Sequence, residues 1–136
     1  MIDFELRKQI ECTEEEKLTC LPVINRIMEF AIIARNQGLL SLEEHISGID
    51  DYLLKAGMKV VVDGLSPEYT FNILNKMITA SGKTGVELIK QLIIRDGILS
   101  MQAGEAPNLV LLQLHAYLGE DFVIGLLEGM DEENNK

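Results

Sequence analysis

The sequence has no tryptophan, 5% aromatic residues, two cysteines, and 12 basic residues against 22 acidic ones. Each scarcity closes off a class of answer. Cys12 and Cys20 cannot make a disulfide framework in a chain of 136 residues, so they read as thiols in a reducing cytoplasm. A zinc site needs four ligands. Only His45 and His115 could complete the set, and the spacing fits no zinc pattern, so neither metal nor other cofactor is expected. The formal net charge of −10 repels phosphate backbones and anionic lipid, which argues against nucleic acid and membrane-surface partners and favours solubility. No stretch reaches the ~20 apolar residues of a membrane helix. The longest apolar runs, at 30–34 and 109–112, are bounded by polar residues. Residues 1–11 lack the basic-then-apolar order of a signal peptide. The expectation is a soluble, cytoplasmic chain.

What is present is apolar content of 47%, carried by Leu, Ile, Val, Met and Ala at helical spacing. The length suits one domain. The pattern predicts an all-α, single multi-helix domain of about six to eight helices: a charged arm or short helix over 1–17, a helical body over 18–129, and an acidic disordered tail over 130–136. Thr13 is an N-cap candidate before Glu14-Glu15-Glu16. A helix over 18–37 follows, with Ile24, Ile27, Met28 and Ala31 on one stripe and Pro22 in its first turn. Asp50 can cap a helix over 51–63, closed by Gly64. Ser66-Pro67-Glu68 starts another, which stops near Ser81-Gly82. The helix over 85–103 should be wet along Glu87, Gln91 and Arg95, and buried along Leu88, Ile89, Leu92, Ile93 and Leu99. Pro107 opens a helix to Tyr117, and a last short one covers 121–129.

The stretch around Gly38 allows two incompatible readings. In a helix continuous through Gly38, positions eight apart differ by ~80° around the axis and ~12 Å along it. Arg35 and Glu43 would then share one side, too far apart to pair. Alternatively, Ser41-Leu42-Glu43-Glu44 is a capping box that starts a new helix. The segment Gly38-Leu39-Leu40-Ser41-Leu42-Glu43 also echoes Gly97-Ile98-Leu99-Ser100-Met101-Gln102. If the echo is structural, both glycines sit inside helices where they approach each other closely, in or beside packed helix contacts.

Little chemistry is visible. Ser81-Gly82-Lys83-Thr84 has the end of a phosphate-binding loop, but Met77 stands where the motif needs its first glycine, so a helix-to-helix turn is expected. No strained, glycine-flanked nucleophile accompanies either histidine, and paired acids such as Asp50-Asp51 read as a solvated face. No catalytic residue is assigned; the chain reads as a non-enzymatic protein.

Three motifs in order carry a family resemblance: Ala34-Arg35 with Gly38-Leu39-Leu40-Ser41-Leu42-Glu43; Tyr52-Leu53, Gly57 and Val61-Val62-Asp63-Gly64 followed by Ser66-Pro67-Glu68; and Gly97-Ile98-Leu99-Ser100-Met101-Gln102-Ala103-Gly104-Glu105-Ala106-Pro107. Together they resemble the flagellar motor stator subunits of the MotA/TolQ/ExbB proton-channel family, with Ala106 where the family typically has Asn. That family places two membrane helices between the second and third motifs. Here 78–94 joins them and contains Lys83, Glu87, Lys90 and Gln91. The expectation is that the channel helices and the preceding membrane pair are absent, and with them the membrane helices to which the family largely owes its pentamer. The resemblance thus implies the cytoplasmic part of such a subunit, without proton conduction. It also implies a role for Arg35 and Glu43, which stand where the family uses an Arg and a Glu to engage the rotor switch protein. The expected function is a partner-binding domain, with that protein or an unrelated one as partner. Homo-oligomerisation, and the natural or engineered origin of the joint, stay open.

Overall fold

A computed structural model describes residues 4–134, with side chains from Glu5 to Glu133. Its elements are α1 (Phe4–Gln9), α2 (Glu14–Leu18), α3 (Leu21–Gln37), α4 (Glu43–Ile46), α5 (Tyr52–Val62), α6 (Pro67–Ser81), α7 (Gly85–Ala103), α8 (Pro107–His115) and α9 (Glu120–Asn134). Two 3-10 turns, Leu39–Leu42 and Ala116–Leu118, complete them. Among the described residues there is no strand, and eight of the helices have five residues or more, so the chain is all-α as expected.

Local signals set most of the boundaries. The Thr13 hydroxyl accepts from the Glu16 N–H at 3.0 Å, and the Glu16 carboxylate accepts from the Thr13 N–H at 3.0 Å, closing a capping box. Ser66 accepts from the Tyr69 N–H, with Pro67 opening α6. Behind α5, Gly64 (φ 78°) lets Leu65 N–H reach Val60 O and its own N–H reach Val61 O, a Schellman closure.

Four expectations need correction. The helix expected from residue 18 is two helices, because Pro22 can give no N–H to the Leu18 carbonyl and so belongs in a first turn; the chain breaks at Thr19-Cys20. The cap of α5 is Asp51, which accepts from Leu54 N–H at 2.9 Å, one residue later than expected. The helix from Pro107 gives way to a 3-10 turn at Ala116. At the far end, Gly129 lacks a positive φ, and the last helix, expected to end there, runs on as α9 to Asn134, within the 130–136 span assigned to the tail. Residues 135–136 of that tail and 1–3 of the expected arm lie outside the described residues. Leu6 and Ile10, also in the arm, are half-buried against the core.

Helix α7 is the axis of the molecule. It packs against α3, α5, α6 and α8, while α9 rests on α8 and its 3-10 turn. Its buried residues, from Leu88 to Met101, surround the helix rather than forming one stripe, as a helix enclosed by others requires. Two of these neighbours approach closely. A Cβ on Gly97 would lie 2.5 Å from Ile27 on α3, and one on Gly57 of α5 would lie 2.2 Å from Ile98 on α7.

The expected wet edge of α7 is therefore only partly wet. Glu87 is exposed, but Gln91 is buried and its amide donates to the Ser81 hydroxyl at 3.1 Å. Arg95 is half-buried; it donates to Asn75 and Asp96, both at 2.9 Å, and lies over the Phe71 ring. Tyr117 donates to the same Asp96 carboxylate, and burial followed by that bond raises its hydroxyl pKa. These groups satisfy one another across α6, α7 and the turn after α8. Leu99, expected in the core, is only half-buried.

Candidate functional site: the break after α3

Helix α3 ends at Gly38, whose N–H returns to the Ala34 carbonyl at 2.8 Å and whose backbone takes φ 88°, ψ 161°. That region is essentially restricted to glycine. The chain then turns through Leu39–Leu42 and enters α4 at Glu43. Both readings of this stretch are thereby corrected. The helix is not continuous, so Arg35 and Glu43 do not share a helix face. No capping box forms either: the Ser41 hydroxyl donates back to Gly38 O at 2.5 Å, and α4 has Leu42 at its N-cap without a side-chain bond.

The turn is anchored from below and bare above. Leu42 is fully buried, Leu39 is half-buried, and Leu40 is 75% exposed, the largest exposure of any bulky apolar side chain among the described residues. Beneath, His45 of α4 meets the Phe30 ring at 6.0 Å, and Arg26 covers that ring at 4.6 Å. The hinge between α3 and α4 is thus a packed corner.

Arg35 and Glu43, the two residues singled out from the sequence, are both exposed, on either side of Leu40 in the chain. Glu43 makes no ion pair among the described residues. Arg35 makes one polar contact there, donating from Nη1 to the Gly104 carbonyl at 3.4 Å. Gly104 (φ 71°) terminates α7, so the guanidinium lies over the negative end of that helix and within the last turn of α3. Both positions favour a cation. The bond is long, and it leaves most of the five donors of the guanidinium free.

A cavity of about 450 Å³ opens beside Arg35, lined by Ala31, Ala34 and Leu39 on one wall and Met101, Ala103 and Gly104 on the other. The first and third sequence motifs meet here. Gln102 steadies the second wall: its Nε2 donates to Leu65 O at 2.7 Å. The amide cannot be reversed, since Oε1 would then face a carbonyl; Oε1 has no partner among the described residues. Sequence reasoning missed this groove and Leu40. The only available signal was the echo between 38–43 and 97–102, which gave no indication that the start of the first segment, Gly38-Leu39, faces the end of the second, Met101-Gln102.

No group of three or more His, Cys, Asp or Glu among the described residues could hold a metal. Cys12 and Cys20 are unpaired; burial pushes both thiols up, Cys20 to about 11. His115 contacts the Leu111 carbonyl at 2.9 Å. Among the described residues no helix is long and apolar enough to cross a membrane.

Comparison with known proteins shows a partial similarity. Motility protein A of Bacillus subtilis is 39% identical over 67 residues, 49% of this chain and 25% of the relative. Motility protein A of Borreliella burgdorferi is 44% identical over 46 residues, and that of Treponema phagedenis 33% over 57. The chain is similar to Motility protein A. The similarity covers 34% of this chain and 18% of the Borreliella protein, and 42% and 22% for the Treponema protein. The chain therefore spans about a quarter or less of the length of these Motility protein A relatives. No protein-family model matches the chain, and no solved structure does.

Proposed function

We propose that this chain is a non-enzymatic, cytoplasmic interaction domain of the motility machinery, and that Arg35 and Glu43 form its face toward the flagellar rotor switch protein. The similarity to Motility protein A from three organisms carries the reading. The structure supports it in what it leaves accessible. Two opposite charges stand exposed on either side of a packed corner, one without an ion pair and the other held by a single long bond. Exposed pairs are worth only ~0–1 kcal/mol each, so the charges would orient a partner and speed its approach rather than supply the whole affinity. The two unpaired thiols suit a reducing compartment.

The non-enzymatic reading draws support from the satisfied state of the polar groups. The Arg95–Asp96–Tyr117 cluster is internally bonded, His45 packs on Phe30, and His115 contacts a main-chain carbonyl. The test is co-purification of this chain with the switch protein of the same organism at low ionic strength. Capture by the wild type and loss with Arg35→Glu are expected; absence of capture would contradict the proposal.

A further inference from the structure

We propose that the outward face of α9 docks a basic segment of a partner protein, one whose Lys or Arg side chains bracket two apolar ones. This surface is separate from Arg35 and Glu43 and does not rest on their role.

Helical spacing builds the face. Glu120, Ile124, Leu127, Glu128 and Asp131 recur at three- and four-residue intervals, so they share one side of α9. Phe122 lies on the other side and packs against the core. Ile124 and Leu127 are 44% and 43% exposed, with Glu120 before them and Glu128 and Asp131 after them, all exposed. From Glu120 to Asp131 the stripe runs about 17 Å.

Its charge is uncompensated among the described residues. Helix α9 carries six acids and no Lys or Arg, and none of the six makes an ion pair there. The ion pairs of Lys and Arg lie elsewhere: Lys17 with Glu14, Arg26 with Glu29, Lys59 with Asp63, Lys90 with Glu87, and Arg95 with Asp96. The arrangement also works against the helix. Asp131 stands in the last turn, where the macrodipole favours a cation. Glu128 precedes Asp131 by three residues and Glu132 by four, spacings at which like charges repel. A base supplied by a partner relieves both effects. Packing does not account for the face either: no described side chain of α9 is buried, and the helix rests on α8 and the 3-10 turn after it. Charge complementarity therefore makes the occupant basic, and Ile124 and Leu127 call for apolar side chains between its charges. A second copy of α9 would bring like charge to the same stripe.

The probe is a synthetic peptide of Leu and Lys at helical spacing, with a Leu and Glu peptide as control. Its affinity for the full chain is measured at low and high ionic strength, and thermal melting verifies that each variant folds. The wild type should bind the basic peptide alone. Glu128→Lys with Asp131→Lys should weaken that binding at least tenfold at low salt without lowering the melting temperature, since a base in the last turn favours the helix. Ile124→Ser with Leu127→Ser should weaken it several-fold at both salt concentrations. Glu11→Lys with Asp50→Lys makes the same change of net charge at exposed positions outside the helices and should alter affinity less than twofold. Equal losses from the two pairs of reversals would show attraction to net charge alone and overturn the proposal. Binding that ignores both serines, or no wild-type binding at low salt, would overturn it as well. None of these outcomes bears on the reading of Arg35 and Glu43, which the switch protein tests separately.

Discussion

Residues 38–43 and 97–102 have nearly the same pattern of side chains and opposite structures. Gly97 lies in the middle of a 19-residue helix, with Ile27 so close that a Cβ would sit 2.5 Å away. Gly38 ends a helix at φ 88°, with nothing within 4 Å of where a Cβ would be. The expectation that both glycines mediate close helix contacts is therefore half right, and the correction at Gly38 is physical. In α7 the surroundings hold the helix together: α3, α5, α6 and α8 pack around it, which outweighs the ~1 kcal/mol that glycine costs a helix. After Ala34, the last buried residue of α3, come Arg35, Asn36 and Gln37, all exposed. No packing sustains the helix there, and glycine's freedom decides. Burying Leu42 then draws the chain back through a 3-10 turn.

Substitutions at the two glycines sharpen that contrast, and the largest effect belongs to Gly97. Gly97→Leu should cost ~3 kcal/mol by overpacking against Ile27, read as a fall in the urea midpoint at unchanged slope. An unchanged midpoint would mean that α3 and α7 are not in close contact. Gly38→Ala comes next, at roughly 1–3 kcal/mol of backbone strain without any clash. Because ψ is 161° rather than the value of a left-handed helix, Gly38→Asn should not recover the loss.

A titration sets the interior against the surface on a smaller scale. Burial holds the Cys20 thiol up at about 11, from 9.0. The folded state therefore keeps the proton longer than the unfolded chain does. This contribution is complete below pH ~9 and is lost as pH rises through about 11. Melting temperature should fall over that window, and Cys20→Ala should flatten its lower part; Tyr117, also raised by burial and its bond to Asp96, adds to the fall above pH 10. The smallest effect is expected at Gly104. Its φ of 71° and ψ of 28° are left-handed helical values that Asn tolerates, so Gly104→Asn should cost under ~1 kcal/mol. A loss matching that of Gly38→Asn would erase the distinction between the two turns.

Much of the fold is written in short stretches. Thr13, Ser66, Pro67 and Gly64 announce helix ends because caps involve residues only three to five apart in sequence. The span of α7 is equally legible, from Gly85 to Gly104. Its surroundings are not. Glu87, Gln91 and Arg95 look alike at four-residue spacing, yet Ser81 and Asn75 on α6 draw the last two inward. Such partners, ten and twenty residues away, leave no mark in local periodicity. The site shows the same division. Arg35 and Glu43 were identifiable through the family resemblance, and both are exposed. The groove was not, because Leu39 and Gly104 meet only after α3 and α7 pack together.

Whether Arg35 and Glu43 meet a partner decides the proposed function. Its most direct measurement is the association rate of this chain with the rotor switch protein, for the wild type and for Arg35→Glu combined with Glu43→Lys, at two ionic strengths. The predicted result is a slower association for the double reversal at low salt, a difference that shrinks at high salt, and recovery when the facing charges of the partner are reversed as well. Unchanged affinity of the double reversal at low ionic strength would contradict the account.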